Sequence, residues 1–218
     1  MRPGGAWADA ELLLVVSQYV NAGDVVWDIG ANVGILAAAS AVRSGAKGTV
    51  LCIEPDIFLA GMIRRTAAKL SPNCAKVSVL PVAISATSGV ATFHIAERGR
   101  ASNALAEAGG RSQMGGIRES VLVPTISLDS LLDISRPQFI KIDVEGAEAI
   151  VLSGASKVLN EIRPIIHIEV GKAHSAQVTD RFHAASYQLF DPNLPIREQK
   201  PLSQCVHNTL AIPVEKIA

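Results

Sequence analysis

The sequence predicts an α/β fold in which a doubly wound, mostly parallel sheet is covered by helices on both faces. Short apolar runs alternate along the chain with longer segments of helical periodicity, and this alternation is typical of parallel sheets. Hydrophobic residues make up 49% of the 218 residues and charged residues only 18%, a composition that argues against disorder and provides for a full apolar core. No shift in composition marks a boundary, so we expect a single domain over residues 1–218.

The first third of the chain alternates strictly between helices and strands. A helical segment is predicted within residues 1–21, followed by a turn at residues 22–24. The β-branched and aromatic run at residues 25–29, which Gly30 closes, predicts a buried strand. The same reasoning predicts further strands at residues 49–53 and 77–82, with helices between them at residues 33–43 and 56–70.

Residues 89–126 interrupt this alternation with a hairpin-like insertion. Two strand-like runs, residues 89–96 and 120–126, flank a weakly periodic stretch at residues 97–119. Loops this long in a compact domain are usually functional lids or disordered, so we predict a mobile substrate loop there. Its four arginines can grip an anionic acceptor, although nearby glutamates nearly cancel their charge and leave a plain solvated loop as the alternative: Arg98, Arg100, Arg111 and Arg118.

The alternation resumes after the insertion. Strands are predicted at residues 138–144 and 165–170, and helices at residues 147–159 and 175–185. Two short apolar segments, residues 187–190 and 209–212, are predicted to close the sheet.

Composition also argues against several classes of function. Lys plus Arg number 20 and Asp plus Glu number 20, so the basic surplus that non-specific nucleic-acid binding needs is missing. Cys52, Cys74 and Cys205 are odd in number and show no C-x-x-C spacing, which favours free thiols over disulfides or a zinc site. The chain shows neither a signal-peptide pattern nor a 20-residue apolar span, so we expect a cytoplasmic protein without a membrane span.

A glycine turn and a distant acid predict a nucleoside site. Asp28, Gly30, Asn32 and Gly34 connect the first strand to the next helix, at the sheet edge where open α/β sheets bind ligands. The glycines allow close approach of the backbone, and Asn is the non-glycine residue that best tolerates positive φ. Glu54 ends the second strand and can accept both hydroxyls of a ribose.

The same residues favour S-adenosylmethionine over a dinucleotide. The G-x-G-x-x-G spacing that binds a pyrophosphate is absent. Asp28 would repel a pyrophosphate but can receive an amino-acid ammonium, directly or through water. S-adenosylmethionine carries an ammonium, a ribose and a sulfonium without phosphate. An NAD-dependent oxidoreductase and a non-catalytic S-adenosylmethionine-binding module remain the alternatives.

Five motifs, in order, resemble the FkbM family of class I S-adenosylmethionine-dependent methyltransferases. They stand at residues 26–34 (VWDIGANVG), 53–55 (IEP), 83–85 (AIS), 125–132 (TISLDSLL) and 140–148 (IKIDVEGAE). The resemblance implies a seven-stranded sheet with the last strand antiparallel. It also implies methyl transfer, usually to a hydroxyl of a sugar, a glycolipid or a secondary metabolite.

The resemblance also assigns site residues. Asp28, Gly30 and Asn32 would line the methionine part of the cofactor, and Glu54 would hold its ribose. Ala83 and Ile84 would lie against the adenine, at the end of the third strand. The predicted cofactor-binding set further includes four residues of the same motifs: Ala31, Gly34, Pro55 and Asp143.

The ends of the next two core strands carry the candidate catalytic groups. Asp143 is our first candidate for the group that orients the acceptor or takes its proton, with Glu169 and His174 as rivals. Asp143 with Glu145 or Glu169 also offers oxygen ligands for Mg²⁺, so a metal-assisted variant stays open. We interpret His167 as a hydrogen-bonded sheet residue and Glu148 as a helix-start acid.

Overall fold

The computed structural model describes residues 5–97, 103–108, 116–194 and 198–217, with side chains from residue 10 onward. In chain order its helices and strands are α1 (Gly5–Tyr19), β1 (Val25–Ile29), α2 (Ile35–Ser44), β2 (Thr49–Ile53), α3 (Ile57–Ala67), β3 (Lys76–Leu80), β4 (Ala83–Ile84), β5 (Gly89–Ala96), β6 (Ala104–Leu105), β7 (Ile117–Ile126), β8 (Phe139–Ile142), α4 (Glu148–Ser153), β9 (Ile165–Glu169), α5 (Ser175–Ala184), β10 (Tyr187–Phe190) and β11 (Asn208–Pro213).

The main sheet confirms the predicted mostly parallel architecture with seven strands. Its order is β10-β11-β9-β8-β1-β2-β3, and β11 runs antiparallel to both of its neighbours. In register, Ile29 at the end of β1 stands beside Ile53 of β2 and Ile142 of β8. The strand order reverses direction between β1 and β8, which is the switch point where such sheets bind ligands.

Side-chain alternation along the strands divides the core between the two faces of this sheet. Trp27 and Ile29 pack with buried residues of α4 and α5 on one face. Val26 and Cys52 pack on the other face with α1 and α2. Both faces are therefore covered, as a doubly wound parallel sheet requires.

The insertion forms a second, four-stranded sheet in the order β4-β7-β5-β6. Its main ladder is the antiparallel pair of β5 and β7, which confirms the predicted hairpin. Residues 98–102 and 109–115 lie outside the described residues, and with them Arg98, Arg100 and Arg111, so the mobile substrate loop stays a prediction. Arg118 is exposed on β7.

The third strand, predicted over residues 77–82, is wrong in its extent. The third strand ends at Leu80, and Ala83 and Ile84 form β4 of the second sheet instead. Pro81 explains the break, because proline has no N–H to donate to a sheet ladder.

The helix predicted over residues 147–159 is also interrupted. The α4 helix ends at Ser153, and a π-helical turn, Val158–Ile162, follows after a gap. Gly154 lies so close to the backbone that a Cβ there would stand 2.7 Å from the carbonyl oxygen of Ser85. The carboxylate of Asp129 accepts the N–H groups of Lys157 and Val158 and so caps the second segment.

None of the helices within the described ranges is both long and apolar enough to cross a membrane.

Candidate active site

The carboxyl ends of β1, β2 and β8 converge with β4 on one cavity. Its wall brings together seven of the residues that the sequence predicts: Gly30, Asn32, Glu54, Pro55, Ala83, Ile84 and Asp143. Ala83 and Ile84 reach this wall from the second sheet rather than from the main one. The cavity therefore lies between the main sheet and the insertion.

The turn after β1 has the backbone conformation that its glycines predict. The φ angles of Gly30, Asn32 and Gly34 are 71°, 51° and 83°, all in the left-handed region. A Cβ on Gly30 would stand 1.9 Å from the carbonyl oxygen of Asp143, so no other residue fits there. The N–H groups of Gly30 and Ala31 both donate to the carbonyl of Ile53 and fix the turn against β2.

Glu54 is held rigidly in the cavity wall by two backbone donors. Its carboxylate accepts the N–H of Asn32 at 2.8 Å on Oε2 and the N–H of Asp56 at 2.9 Å on Oε1. The side chain is only 4% exposed, and this burial raises the pKa of Glu54 to about 7. Each oxygen retains a second lone pair, so the carboxylate can accept two further hydrogen bonds from a diol.

Asp28 lies beneath the turn rather than in the cavity wall. It is 1% exposed, and Nζ of Lys141 stands 3.7 Å from its Oδ1. Burial raises the pKa of Asp28, while the Lys141 ammonium opposes that shift. Ala31 and Gly34 likewise shape the turn without lining the cavity.

Lys141 is a buried cation that the sequence reasoning did not single out. Its Nζ donates to the carbonyl of Gly30 at 2.8 Å and lies 3.2 Å from Oδ2 of Asp143. Strand alternation in the sequence indicates only that Lys141 shares a face with Asp143; its pairing with Asp28 comes from the β1–β8 register of the structure. Lys141 thus ties the glycine turn to the end of β8 and partly neutralises Asp28.

Asp143, Glu145 and Glu169 form an acidic cluster at the mouth of the site. One carboxylate oxygen from each lies within 4.8 Å of the others, so the three can hold a cation. Nε2 of His207 stands 3.3 Å from Oε1 of Glu169. Burial, and then the charge of Asp143, raise the pKa of Glu169.

The structure does not bring His174 into the main cavity. The half-buried residue precedes α5 and lines a separate small cavity with Glu107 and Gly146. Glu148 accepts the N–H of Gly146 at 2.7 Å at the start of α4, in keeping with its predicted helical role. His167 is buried in β9 as predicted, but the prediction that it is hydrogen-bonded is wrong: neither ring nitrogen has a hydrogen-bond partner among the described residues, and Nε2 stands 3.5 Å from Oε1 of Glu11.

The insertion supplies wall residues that no local sequence pattern predicts. Phe93, Asn103 and Leu105 line the cavity together with Glu54 and Pro55. They reach it through pairing between β5 and β6, which a motif search along the chain does not detect.

The sequence pattern of the methyltransferase FkbM domain matches residues 28–191, three quarters of the chain. The chain belongs to the FkbM methyltransferase family. This is the family that the five motifs resemble. A comparison with curated proteins finds no match.

Solved structures confirm the fold. An FkbM methyltransferase from Methylobacillus flagellatus KT superposes with a TM-score of 0.56 at 17% identity, covering 86% of this chain and 43% of that one. The chain therefore spans less than half the length of that protein. A precorrin-6y C5,15-methyltransferase from Geobacter metallireducens GS-15 superposes with a TM-score of 0.54 at 12% identity. The match covers 95% of this chain and 88% of that one. A third structure is the magnesium protoporphyrin IX methyltransferase from Synechocystis PCC 6803 with bound S-adenosylmethionine. It superposes with a TM-score of 0.51 at 10% identity, and the match covers 95% of this chain and 78% of that one.

Proposed function

We propose that this FkbM-family protein moves the methyl group of S-adenosylmethionine to a hydroxyl of a sugar, a glycolipid or a secondary metabolite. The observation that carries the proposal is the carboxylate of Glu54, fixed by two backbone N–H groups in the wall of the cavity at the switch point. A rigid, buried acceptor pair of this kind suits the two hydroxyls of a ribose.

The remaining wall residues match the other parts of that cofactor. Ala83 and Ile84 present an apolar surface suited to the adenine. Gly30 lies against Asp143, where the methionine part would extend, and Asn32 lines the same cavity. Asp28 then acts from below, through its ion pair with Lys141, and not by direct contact with the ammonium.

The proposed reaction is a direct displacement. The acceptor oxygen attacks the methyl carbon, the S–CH₃ bond breaks, and its electron pair stays on sulfur to give S-adenosylhomocysteine. The hydroxyl proton passes to the carboxylate of Asp143, which also orients the acceptor in line with the S–CH₃ bond. Glu169 is the second candidate for this proton, because burial raises its pKa and so makes its carboxylate the stronger base.

The acidic cluster supports one variant of this mechanism. Asp143, Glu145 and Glu169 together offer the hard oxygen ligands that Mg²⁺ prefers. When bound, the ion would lower the pKa of an acceptor hydroxyl beside it. The chain's own residues would still bind the cofactor and align the acceptor.

The proposal is tested with methyl-labelled S-adenosylmethionine and a panel of acceptors: free sugars, glycolipids, hydroxylated secondary metabolites and matched amines. We expect label to enter a hydroxyl-bearing acceptor, and to be lost when that hydroxyl is replaced by hydrogen. Transfer only to amines would contradict the proposed O-methylation, while binding without transfer to any acceptor would favour a non-catalytic binding module.

The free thiols of Cys52, Cys74 and Cys205 support a reducing compartment, and we propose the cytoplasm as the site of action.

A further inference from the structure

The described part of the insertion forms one complete side of the cavity. Phe93 of β5 and Leu105 of β6 are cross-strand partners, and both are buried. Asn103, directly before β6, is 9% exposed and lines the same side. Ala83 of β4 belongs to the same buried apolar cluster as Phe93 and Leu105, and Glu54 lines the cavity with them.

Asn103 connects the insertion to the loop that carries Glu54. Its Oδ1 accepts the N–H of Ala96 at 2.9 Å, which fixes the amide within the second sheet. Its Nδ2 donates to Oδ2 of Asp56 at 3.0 Å. Since Asp56 is itself only 3% exposed, this hydrogen bond is shielded from water and its loss is costly.

Asp56 links the amide of Asn103 to the carboxylate of Glu54 by a second hydrogen bond. Its Oδ1 accepts the N–H of Phe58 and so caps α3, while its own N–H donates to Oε1 of Glu54. The amide of Asn103 is therefore two hydrogen bonds away from the carboxylate to which we assign the ribose. One of its two Nδ2 hydrogens is used by Asp56, which leaves the other for a ligand in the cavity that Asn103 lines.

We propose that the insertion is a cofactor-binding element in which Phe93 and Leu105 pack against the purine of the cofactor, while Asn103 positions Glu54 and donates a hydrogen bond to the nucleoside. The inference rests on the proposed function, since it takes the cavity to hold S-adenosylmethionine. It extends the predicted role of the insertion, because residues 97–119 were expected to form a mobile substrate loop.

The chemistry of the residues that line the cavity supports a nucleoside as its ligand. A purine is flat and apolar on its faces, and it fits between aromatic and aliphatic side chains that have no unsatisfied polar atoms. The purine edge and the ribose, in contrast, need a few fixed polar groups, and Asn103 and Glu54 are held rigidly enough to provide them.

The test measures the affinity of purified full-length variants for two ligands by calorimetry. S-adenosylhomocysteine carries the whole product skeleton, and methylthioadenosine carries the nucleoside without the amino-acid part. The variants are Asn103→Ala, Asn103→Asp and Phe93→Leu. Asn160→Ala is the matched control, because Asn160 is exposed and its Nδ2 donates only to its own helical segment, at the carbonyl of Ser156.

We expect Asn103→Ala to weaken both ligands about 10-fold and by equal factors. Asn103→Asp should weaken them further, because a carboxylate would replace the donor 3.0 Å from the Asp56 carboxylate. Phe93→Leu keeps an apolar side chain but loses the flat ring, so its affinity for both ligands should fall about 3-fold. This variant also serves as the test if Asn103→Ala does not fold. The control should bind like the wild type.

Three results would overturn the inference. Affinities of Asn103→Ala and Phe93→Leu within 2-fold of the wild type would do so and would leave the proposed function standing. A loss for S-adenosylhomocysteine but not for methylthioadenosine would place the effect on the amino-acid part instead. A wild-type protein that binds neither ligand would remove the proposed function and this inference together.

Discussion

The variant Glu54→Gln tests the buried carboxylate through both stability and cofactor affinity. Glu54 accepts two backbone N–H groups, whereas a glutamine has one acceptor oxygen and an NH₂ group that must face the second donor. One buried hydrogen bond is therefore lost, at a cost of about 1–3 kcal/mol in the free energy of unfolding.

The charge of Glu54 gives this cost a predictable pH dependence. The pKa in the folded chain is about 7, against an ordinary value of 4.5. Because the folded state holds this proton more tightly than the unfolded chain, the wild type is stabilised by protonation at low pH. That stabilisation is lost as pH rises from about 4.5 through 7, and its full size is about 3 kcal/mol.

Glutamine does not titrate, so the order of stability of the wild type and Glu54→Gln should reverse as the pH rises. At pH 5 we expect Glu54→Gln to be less stable than the wild type by about 1–3 kcal/mol. At pH 8 the wild type carries the cost of a buried charge, and the variant should match or exceed its stability. Urea unfolding at pH 5, 6.5 and 8 measures this difference, with Glu161→Gln, at an exposed position, as the control that follows the wild type throughout.

At pH 8 the Glu54→Gln variant should bind the cofactor product more weakly than the wild type, although its stability is equal or higher. Replacing a charged acceptor of ribose hydroxyls by a neutral one costs about 1.5–3 kcal/mol, so Kd for S-adenosylhomocysteine should rise about 10–100-fold. Unchanged affinity, together with a stability difference that does not vary with pH, would refute the assignment of Glu54 as a buried, ribose-binding carboxylate.

Three further predictions concern the rest of the site. Asp143→Asn should cut turnover at least about 10²-fold, while cofactor affinity stays within several-fold. The exposed variant Asp133→Asn is the control. Full activity of Asp143→Asn, equal to that of the control, would remove Asp143 from the mechanism. Gly30→Ala should abolish cofactor binding and lower stability by about 3 kcal/mol or more, because of positive φ and the overlap with the Asp143 carbonyl. Gly61→Ala, whose Cβ would meet only the Arg65 side chain at 3.5 Å inside α3, should instead stabilise by about 0.5–1 kcal/mol; equal thermal shifts for the two would contradict the steric argument. Methyl transfer should survive EDTA, since Lys141 already neutralises one acid of the cluster, and loss of activity restored by Mg²⁺ would establish the metal-assisted variant.

The main sheet was predictable because its signals are local. Runs such as Val25–Ile29 and Thr49–Ile53 are short, β-branched and bounded by turn residues, and the structure shows both strands with those bounds. The positive φ of Asn32 also follows from the residue type and its neighbouring glycines. Where the prediction erred, at Pro81 and Gly154, a single residue broke an element that apolar periodicity alone would have continued.

The parts of the site that escaped prediction depend on contacts between distant segments. Lys141 resembles a surface residue in a strand sequence, and only the pairing of β8 with β1 shows that it is buried against Asp28. Asn103 lies in a polar stretch without periodicity, and its hydrogen bond to Asp56 spans 47 positions. His174 shows the converse, because proximity in sequence to Glu169 did not place it in the cavity.

The most direct measurement of the central claim is a calorimetric titration of the wild type with S-adenosylmethionine, S-adenosylhomocysteine and NAD under one set of conditions. Glu54, the glycine turn and the missing pyrophosphate-binding pattern predict saturable binding of both sulfur nucleosides and no heat of binding with NAD. Tight binding of NAD without binding of either sulfur nucleoside would contradict the account.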